Sequence, residues 1–311
     1  NNVSEMANLV AAGFPANFFV VNPATTGSVN LTTNGGDSTF NALEVVLRRR
    51  TSAGLELQGS YVYSKSLTNT GNNPLTLRNV GADKGPSFSD QRDAFKLNWV
   101  YQLPVGPNHL LLSNLRSPVG RALLTNWSFA GVARVQSGVP EELGSGTGFA
   151  TVNNSDPGVV LHGITPKQLQ SEMHPYITGS DPSAVVFYLP QALVANTKAA
   201  YGVAGTLDPT QPYIGPPTAG TFGQRVYLYG PWLSKWDLSL TKTAPIRESM
   251  NLELRVQALN VFNAINFLLP GQSLQSASSS SFGQTTNAFR DFSNTNDPGS
   301  RTLEGVIILH F

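Results

Sequence analysis

Four histidines are the obvious candidates for metal binding or proton transfer. His109, His162, His174 and His310 are scattered along the chain, and none has the close spacing of a metal-ligand set. They read as solvated side chains. The chain has no cysteine, which removes thiol catalysis, disulfides and Cys-based zinc sites together. Gly144-Ser145-Gly146-Thr147-Gly148 is glycine-rich, but it leads into a polar loop and no helix pattern or Lys-Ser/Thr pair follows, as a phosphate loop would need. Asn294-Thr295-Asn296-Asp297 offers oxygen ligands without the spacing of a calcium loop and reads as a turn. No Ser-His-Asp set can be assembled. The chain is therefore expected to be no enzyme and to need no metal or cofactor.

The charged residues that stand out lie instead on alternating segments. Glu44, Glu56, Lys96, Arg134, Asp237, Glu253 and Arg255 each sit among polar residues that alternate with apolar ones. Period two is the signature of a strand with two unlike faces. Leu43, Val45 and Leu47 oppose Glu44, Val46 and Arg48. Leu55, Leu57, Gly59, Tyr61 and Tyr63 oppose Glu56, Gln58, Ser60, Val62 and Ser64, giving a hairpin over 39–65. Similar alternation follows from Phe95 to Leu103 and from Trp127 to Gln136, a strand pair over 94–137. A hairpin over 232–263 turns at about Ala244 to Ser249, and a last strand covers 301–311. On that strand Leu303, Gly305, Ile307, Leu309 and Phe311 share one apolar face, so the chain ends on an aromatic residue.

Between these strands lies material of another kind. Residues 138–231 are rich in Gly, Pro, Ser, Thr and Asn and read as one long irregular region carrying short helices. Thr165 and Pro166 have the N-cap and first-turn chemistry for a helix to Met173, and Pro190 to Ala200 suggests a second. Ser276 to Ser281 falls in another long polar loop. The connections alternate between short and long.

Composition decides what these strands face. Charged residues make up only 13% of the chain, about half the share usual in soluble domains, yet mean hydropathy is near zero. A transmembrane β-barrel has this average, because lipid-facing apolar residues alternate with lumen-facing polar ones. Charges fall at mid-strand, as a wet lumen permits. Aromatics fall near strand ends: Tyr61, Tyr63 and Trp236 toward one side, Tyr101, Trp127 and Phe311 toward the other, as two interfacial girdles would require. Strands of about ten residues are long enough to cross a bilayer when tilted. A net charge of +1 with no basic stripe argues against a nucleic-acid footprint, and Arg48-Arg49-Arg50 reads as a strand end rather than a binding patch.

The expected fold is all-β: an antiparallel transmembrane barrel in the cell outer membrane, with long extracellular loops and short periplasmic turns. About seven strands cannot close, since bacterial single-chain barrels use even numbers from about eight upward, and an open edge in lipid leaves backbone groups unpaired. With no initiator Met and no signal peptide, residues 1–311 are expected to be the carboxy-terminal portion of one barrel domain, an open half-pipe. The seven lumen-facing charges read first as a cross-strand ion-pair ladder and second as substrate contacts. Recognition of an unknown ligand is placed in the 138–231 loop.

Several segments, in order, resemble a known family. Phe40-Asn41-Ala42-Leu43-Glu44 through Arg48-Arg49-Arg50, with Tyr61-Val62-Tyr63-Ser64-Lys65-Ser66-Leu67, is similar to a hairpin of TonB-dependent receptors, and of their Oar-like branch with a carboxypeptidase-regulatory-like domain. Asp90-Gln91-Arg92-Asp93, Ser137-Gly138-Val139-Pro140, Phe222-Gly223-Gln224-Arg225, Ala258-Leu259-Asn260-Val261-Phe262-Asn263 and Phe282-Gly283-Gln284-Thr285-Thr286 complete the set. The resemblance implies a barrel of about 22 strands with an internal plug. It also implies TonB as energising partner through that plug, and the barrel-assembly machinery as partner of the strand ending at Phe311. The chain itself contains neither plug nor TonB box. Two rival readings are an outer-membrane adhesion or structural protein anchored by the same barrel, and a soluble secreted β-sandwich binding module.

Overall fold

A computed structural model describes residues 10–13, 34–50, 54–70, 79–107, 109–146, 157–180, 184–218, 221–247, 250–267, 276–285 and 300–311. Asn1–Gly36 and Asp37–Phe311 are separate compact units; the second is described below. Asn294-Thr295-Asn296-Asp297 lies outside the described residues, as do Thr147 and Gly148.

Seven long strands form one antiparallel meander in sequence order. They are β1 (Ser38–Arg50), β2 (Leu55–Thr68), β4 (Asp93–Gln102), β5 (Trp127–Gln136), β12 (Leu233–Arg247), β13 (Met250–Leu259) and β15 (Thr302–His310). A two-residue strand, β3 (Gly85–Pro86), pairs with the end of β2. The alternation seen in sequence becomes two faces because every register keeps parity. Leu57, Trp99, Gly131, Leu238, Ala258 and Leu303 stand side by side across β2 to β15 on the apolar face. Arg48, Gln58, Asn98, Val132 and Asp237 form a row on the other. Trp99 lies across Gly131, where an added Cβ would sit 2.4 Å from the indole and 2.9 Å from Leu238.

Among the described residues nothing covers the apolar face. Leu43, Val45, Leu47, Val256, Leu303 and Ile307 are all more than half exposed. Such an area is untenable in water and ordinary against lipid. The polar face is concave: a trough of about 950 Å³ touches six strands and is lined by Arg48, Glu56, Gln58, Asn98, Asp237 and Gln257 among others. Among the described residues β1 pairs only with β2, and β15 only with β13, so the sheet is open. Among these residues no helix is long and apolar enough to cross a membrane. One boundary differs from expectation. β12 runs on through Ala244 and Pro245 to Arg247, because a register shift between Pro245 and Arg247 accommodates the proline.

The described residues of the 138–231 segment are not one irregular loop. Beyond Gln136 and Leu233 the β5–β12 ribbon bends and continues as β6 (Pro140–Leu143) paired with β11 (Val226–Tyr229). The bend needs glycine, since a Cβ on Gly138 would lie 2.3 Å from the Gly230 carbonyl oxygen. Three-residue strands β7 (Val160–His162) and β10 (Tyr213–Gly215) pair with each other; β8 (Tyr176–Thr178), β9 (Val185–Phe187) and β14 (Gln284–Thr285) form a third small sheet. The chain also has α1 (Pro118–Leu124), α2 (Pro166–Ser171) and α3 (Gln191–Ala200). Helix α2 has the expected Thr165 cap, completed as a capping box by Gln168. Leu143, Leu169, Tyr188, Leu189, Ile214, Leu228 and Phe282 are fully buried in one core. The expected loop is thus a folded cap on the long-loop end of the sheet. The serine-rich stretch is part of it: Ala277 and Phe282 enter its core.

Candidate functional site

The cap is held to the sheet by buried ionic contacts. Arg225, just before β11, donates from Nε to Asp83 Oδ1 at 2.7 Å and from Nη1 to Glu142 Oε1 on β6. The Arg225 side chain is 11% exposed and that of Asp83 1%. Burial by itself would lower the Arg225 pKa, but Glu142 and Asp83 outweigh it and hold it above its ordinary value. Burial, with Glu142 adding to it, pushes the neighbouring Tyr227 phenol up to about 12. A second cluster lies beside β4. Tyr229 Oη donates to Asp90 Oδ2 at 2.6 Å, and the Ser66 amide donates to Asp90 Oδ1 at 2.5 Å. The Arg92 guanidinium lies about 6 Å from the ring centres of both Tyr63 and Tyr229. Helix α2 is tied in by Gln170, whose side-chain amide exchanges hydrogen bonds with the Tyr229 backbone at 2.7 and 3.0 Å.

A cavity of about 740 Å³ opens in the cap along α3. Ile164, Phe187, Leu193 and Pro212 give it apolar walls, and Glu172, Lys198 and Asp208 bring charge to it. Asn196 fixes one wall by exchanging hydrogen bonds with the Asp208 backbone at 2.8 and 2.9 Å. Thr210 donates two hydrogen bonds to the Asp208 carboxylate and lowers its pKa. This size and mixture suit an organic ligand with an apolar body and polar ends. Deeper in the cap, Glu141 is 9% exposed, and burial pushes its carboxyl up to about 7. The Tyr188 hydroxyl is also buried, and burial raises its pKa.

All seven charges singled out from sequence share the concave face, as parity requires, but they do not form the expected ladder. Arg50 and Glu56 are a direct cross-strand pair, with 2.7 Å between Nε and Oε1. Glu253 pairs along its own strand with Arg255 at 2.5 Å, and His310 approaches it at 3.4 Å. Asp237 accepts the Asn260 amide at 2.7 Å, so it secures the turn after β13. Lys96 stands opposite Arg134, and Arg134 opposite Lys235. Lys235 is paired with Asp237 at 3.9 Å, and Lys96 and Arg134 face each other as like charges, so here a ladder is replaced by a positive row. Glu44 faces Val62. Sequence spacing could not show this, because which residues oppose one another depends on register.

The aromatic positions acquire partners as well. Tyr61 Oη donates to Asp93 Oδ1 at 2.6 Å, and Tyr63 stands opposite Asp93. Trp236 meets Phe262 edge-on at 6.0 Å. Tyr101 stands opposite Phe129, Trp127 opposite Lys242, and Phe311 follows β15 fully exposed. His162 stacks on Tyr213 and His174 on Tyr176, while His109 lies in the β4–β5 connection. Among the described residues no group of acidic, Cys and His side chains could hold a metal ion. In the glycine-rich segment Ser145 donates to the Gly158 carbonyl, a structural role.

Sequence reasoning missed the buried contacts of Asp83, Asp90, Arg92, Glu142, Arg225 and Tyr229. The signal available was indirect: Asp90-Gln91-Arg92-Asp93, Ser137-Gly138-Val139-Pro140 and Phe222-Gly223-Gln224-Arg225 are the segments meeting at this junction. Ala258-Leu259-Asn260-Val261-Phe262-Asn263 is likewise a turn, with Asn260 and Asn263 both left-handed at φ 46° and 50°.

No curated relative and no solved structure matches the chain. A family model described as an outer membrane beta barrel domain matches residues 4–303. An uncovered apolar face, a concave polar face and long antiparallel strands agree with that match. The chain belongs to the outer membrane β-barrel domain family and resides in the outer membrane.

Proposed function

We propose that this chain forms barrel wall and extracellular recognition unit of a TonB-dependent outer-membrane transporter, with its ligand received by the cap. The observation that carries this reading is the cap itself. It has its own core, a cavity of about 740 Å³, and buried ion pairs that seat it where the strands end. Below it the concave face sets Lys96 opposite Arg134, which favours a ligand bearing anionic groups. The ordered resemblance to TonB-dependent receptors supports the energised mechanism, with the plug and the inner-membrane partner supplied beyond these residues. Among the described residues the outer edges of β1 and β15 are unpaired, which supports a larger barrel, because lipid does not tolerate open backbone.

The reading is tested in cells. Uptake of small molecules from a defined medium is compared between the parent strain, a strain without this gene and a strain without TonB. Loss of the same compound in both deletions is expected. Loss in the gene deletion alone would show passage without TonB. No loss in either would favour the adhesion reading, for which the half-exposed or more exposed Phe222 and Trp232 at the cap end provide contact surface.

A further inference from the structure

The connection between β4 and β5 is unusual for a turn at the short-loop end. Its residues 109–112 and α1 present Leu110 at 86% exposure, with Leu111, Leu112, Val119 and Leu123 all more than half exposed. This is an ordered segment. The Gly106 amide donates to the Leu111 carbonyl at 2.8 Å, and the Leu111 amide to the Pro104 carbonyl at 2.9 Å. Ser117 caps α1, and Leu112 is held left-handed at φ 55°, a strained conformation for a leucine. A fold that strains its backbone while exposing consecutive leucines is arranged for an apolar medium.

The segment is fastened to the lipid-facing side of the sheet. Trp127 Nε1 donates to the Leu123 carbonyl at 2.8 Å, and Lys242 Nζ donates to the Thr125 carbonyl. Trp127 and Lys242 are register partners on the apolar face, with the ammonium 5.9 Å from the ring centre. The charge is one-sided. From residue 103 to 126 there is no Asp or Glu, while Arg116 and Arg121 are present. Neither arginine is paired with a carboxylate among the described residues; Arg121 Nε donates to the Leu115 carbonyl at 2.8 Å.

We infer that this connection is a lipid anchor. Its leucines and Val119 enter the acyl region of the inner leaflet, and Arg116 and Arg121 bind the phosphates of anionic phospholipid headgroups. Apolar residues beside cations on a short helix at a membrane surface form an interfacial element. Continuity with the apolar face places this one at the bilayer edge.

The chain has no native cysteine, so single-cysteine labels report cleanly. Leu110→Cys and Leu123→Cys, both at exposed positions, are spin-labelled in the full chain. They are reconstituted in vesicles of phosphatidylcholine, with or without phosphatidylglycerol. Both labels are expected to meet dissolved oxygen more readily than a water-soluble nickel reagent. In detergent, native mass spectrometry should show retained phosphatidylglycerol over phosphatidylcholine. Arg116→Gln with Arg121→Gln should reduce that preference about twenty-five-fold, at roughly fivefold per cation. Labels open to the nickel reagent would overturn the anchor. A preference unchanged in the double variant would overturn the headgroup contact, as would displacement of the lipid by inorganic phosphate alone. Spin–spin broadening that disappears on dilution with unlabelled protein would assign the surface to a second copy instead.

Discussion

Replacing Arg225 by Met should unseat the cap without disturbing the strands below it. The side chain removed is 11% exposed and holds Asp83, whose own side chain is 1% exposed, together with Glu142. Methionine fills similar volume but leaves two carboxylates facing each other in a site with little access to water. Breaking a buried pair on one side costs about 3 to 5 kcal/mol, mostly because the orphaned charge stays buried. At 1.4 kcal/mol per decade, local opening becomes about 100- to 4,000-fold more frequent. Native-state hydrogen exchange read by mass spectrometry measures this directly. Amides of Val226–Tyr229 should exchange faster by that factor, while those of Leu57 and Trp99 at mid-sheet should not change. Adding Asp83→Asn removes one orphaned charge and should restore roughly 1 to 2 kcal/mol. Acceleration below tenfold, or equal acceleration in the mid-sheet amides, would refute the idea that this contact seats the cap.

Three further outcomes follow from the same geometry. Burial raises the Glu141 carboxyl from 4.5 to about 7, so the folded cap holds a proton that the unfolded chain releases; cap stability should be full below about pH 4.5, fall as pH rises to about 7, and level off above it. The full loss is about 3 kcal/mol, and Glu141→Gln should flatten the profile, as exchange of the Leu228 amide against pH would record. Gly131→Val forces a branched side chain into the space held by Trp99 and Leu238, an overpacking worth about 1 to 3 kcal/mol; tryptophan emission should shift and the thermal midpoint fall. Phe282→Ala should cost the cap about 3 to 5 kcal/mol and speed exchange across α3, although Phe282 lies in the connection before the last strand; unchanged exchange there would remove that connection from the cap.

The strands were legible in the sequence because each is a local pattern. Alternation from Leu55 to Tyr63, or from Leu303 to Phe311, assigns the element and both of its faces without reference to any other part of the chain. Low charge and end-placed aromatics then separate lipid from water as the medium of the apolar face. The Thr165 cap and Pro166 were sufficient for α2, since capping is settled within one helical turn. None of this extends to the cap. Its strands have two to four residues, too short for periodicity, and its core gathers Leu143, Leu169, Tyr188, Ile214, Leu228 and Phe282 from separate segments. The contacts that seat it join residues 142 and 139 positions apart, Arg225 with Asp83 and Tyr229 with Asp90. Register was equally out of reach: alternation placed Lys96 and Arg134 on the polar face, but only pairing across β4, β5 and β12 aligned them with Lys235. Sequence alone determines what repeats within one strand or one helical turn. The cavity, the buried ion pairs and the positive row arise from pairings between distant segments, and only the folded chain decides which of those occur.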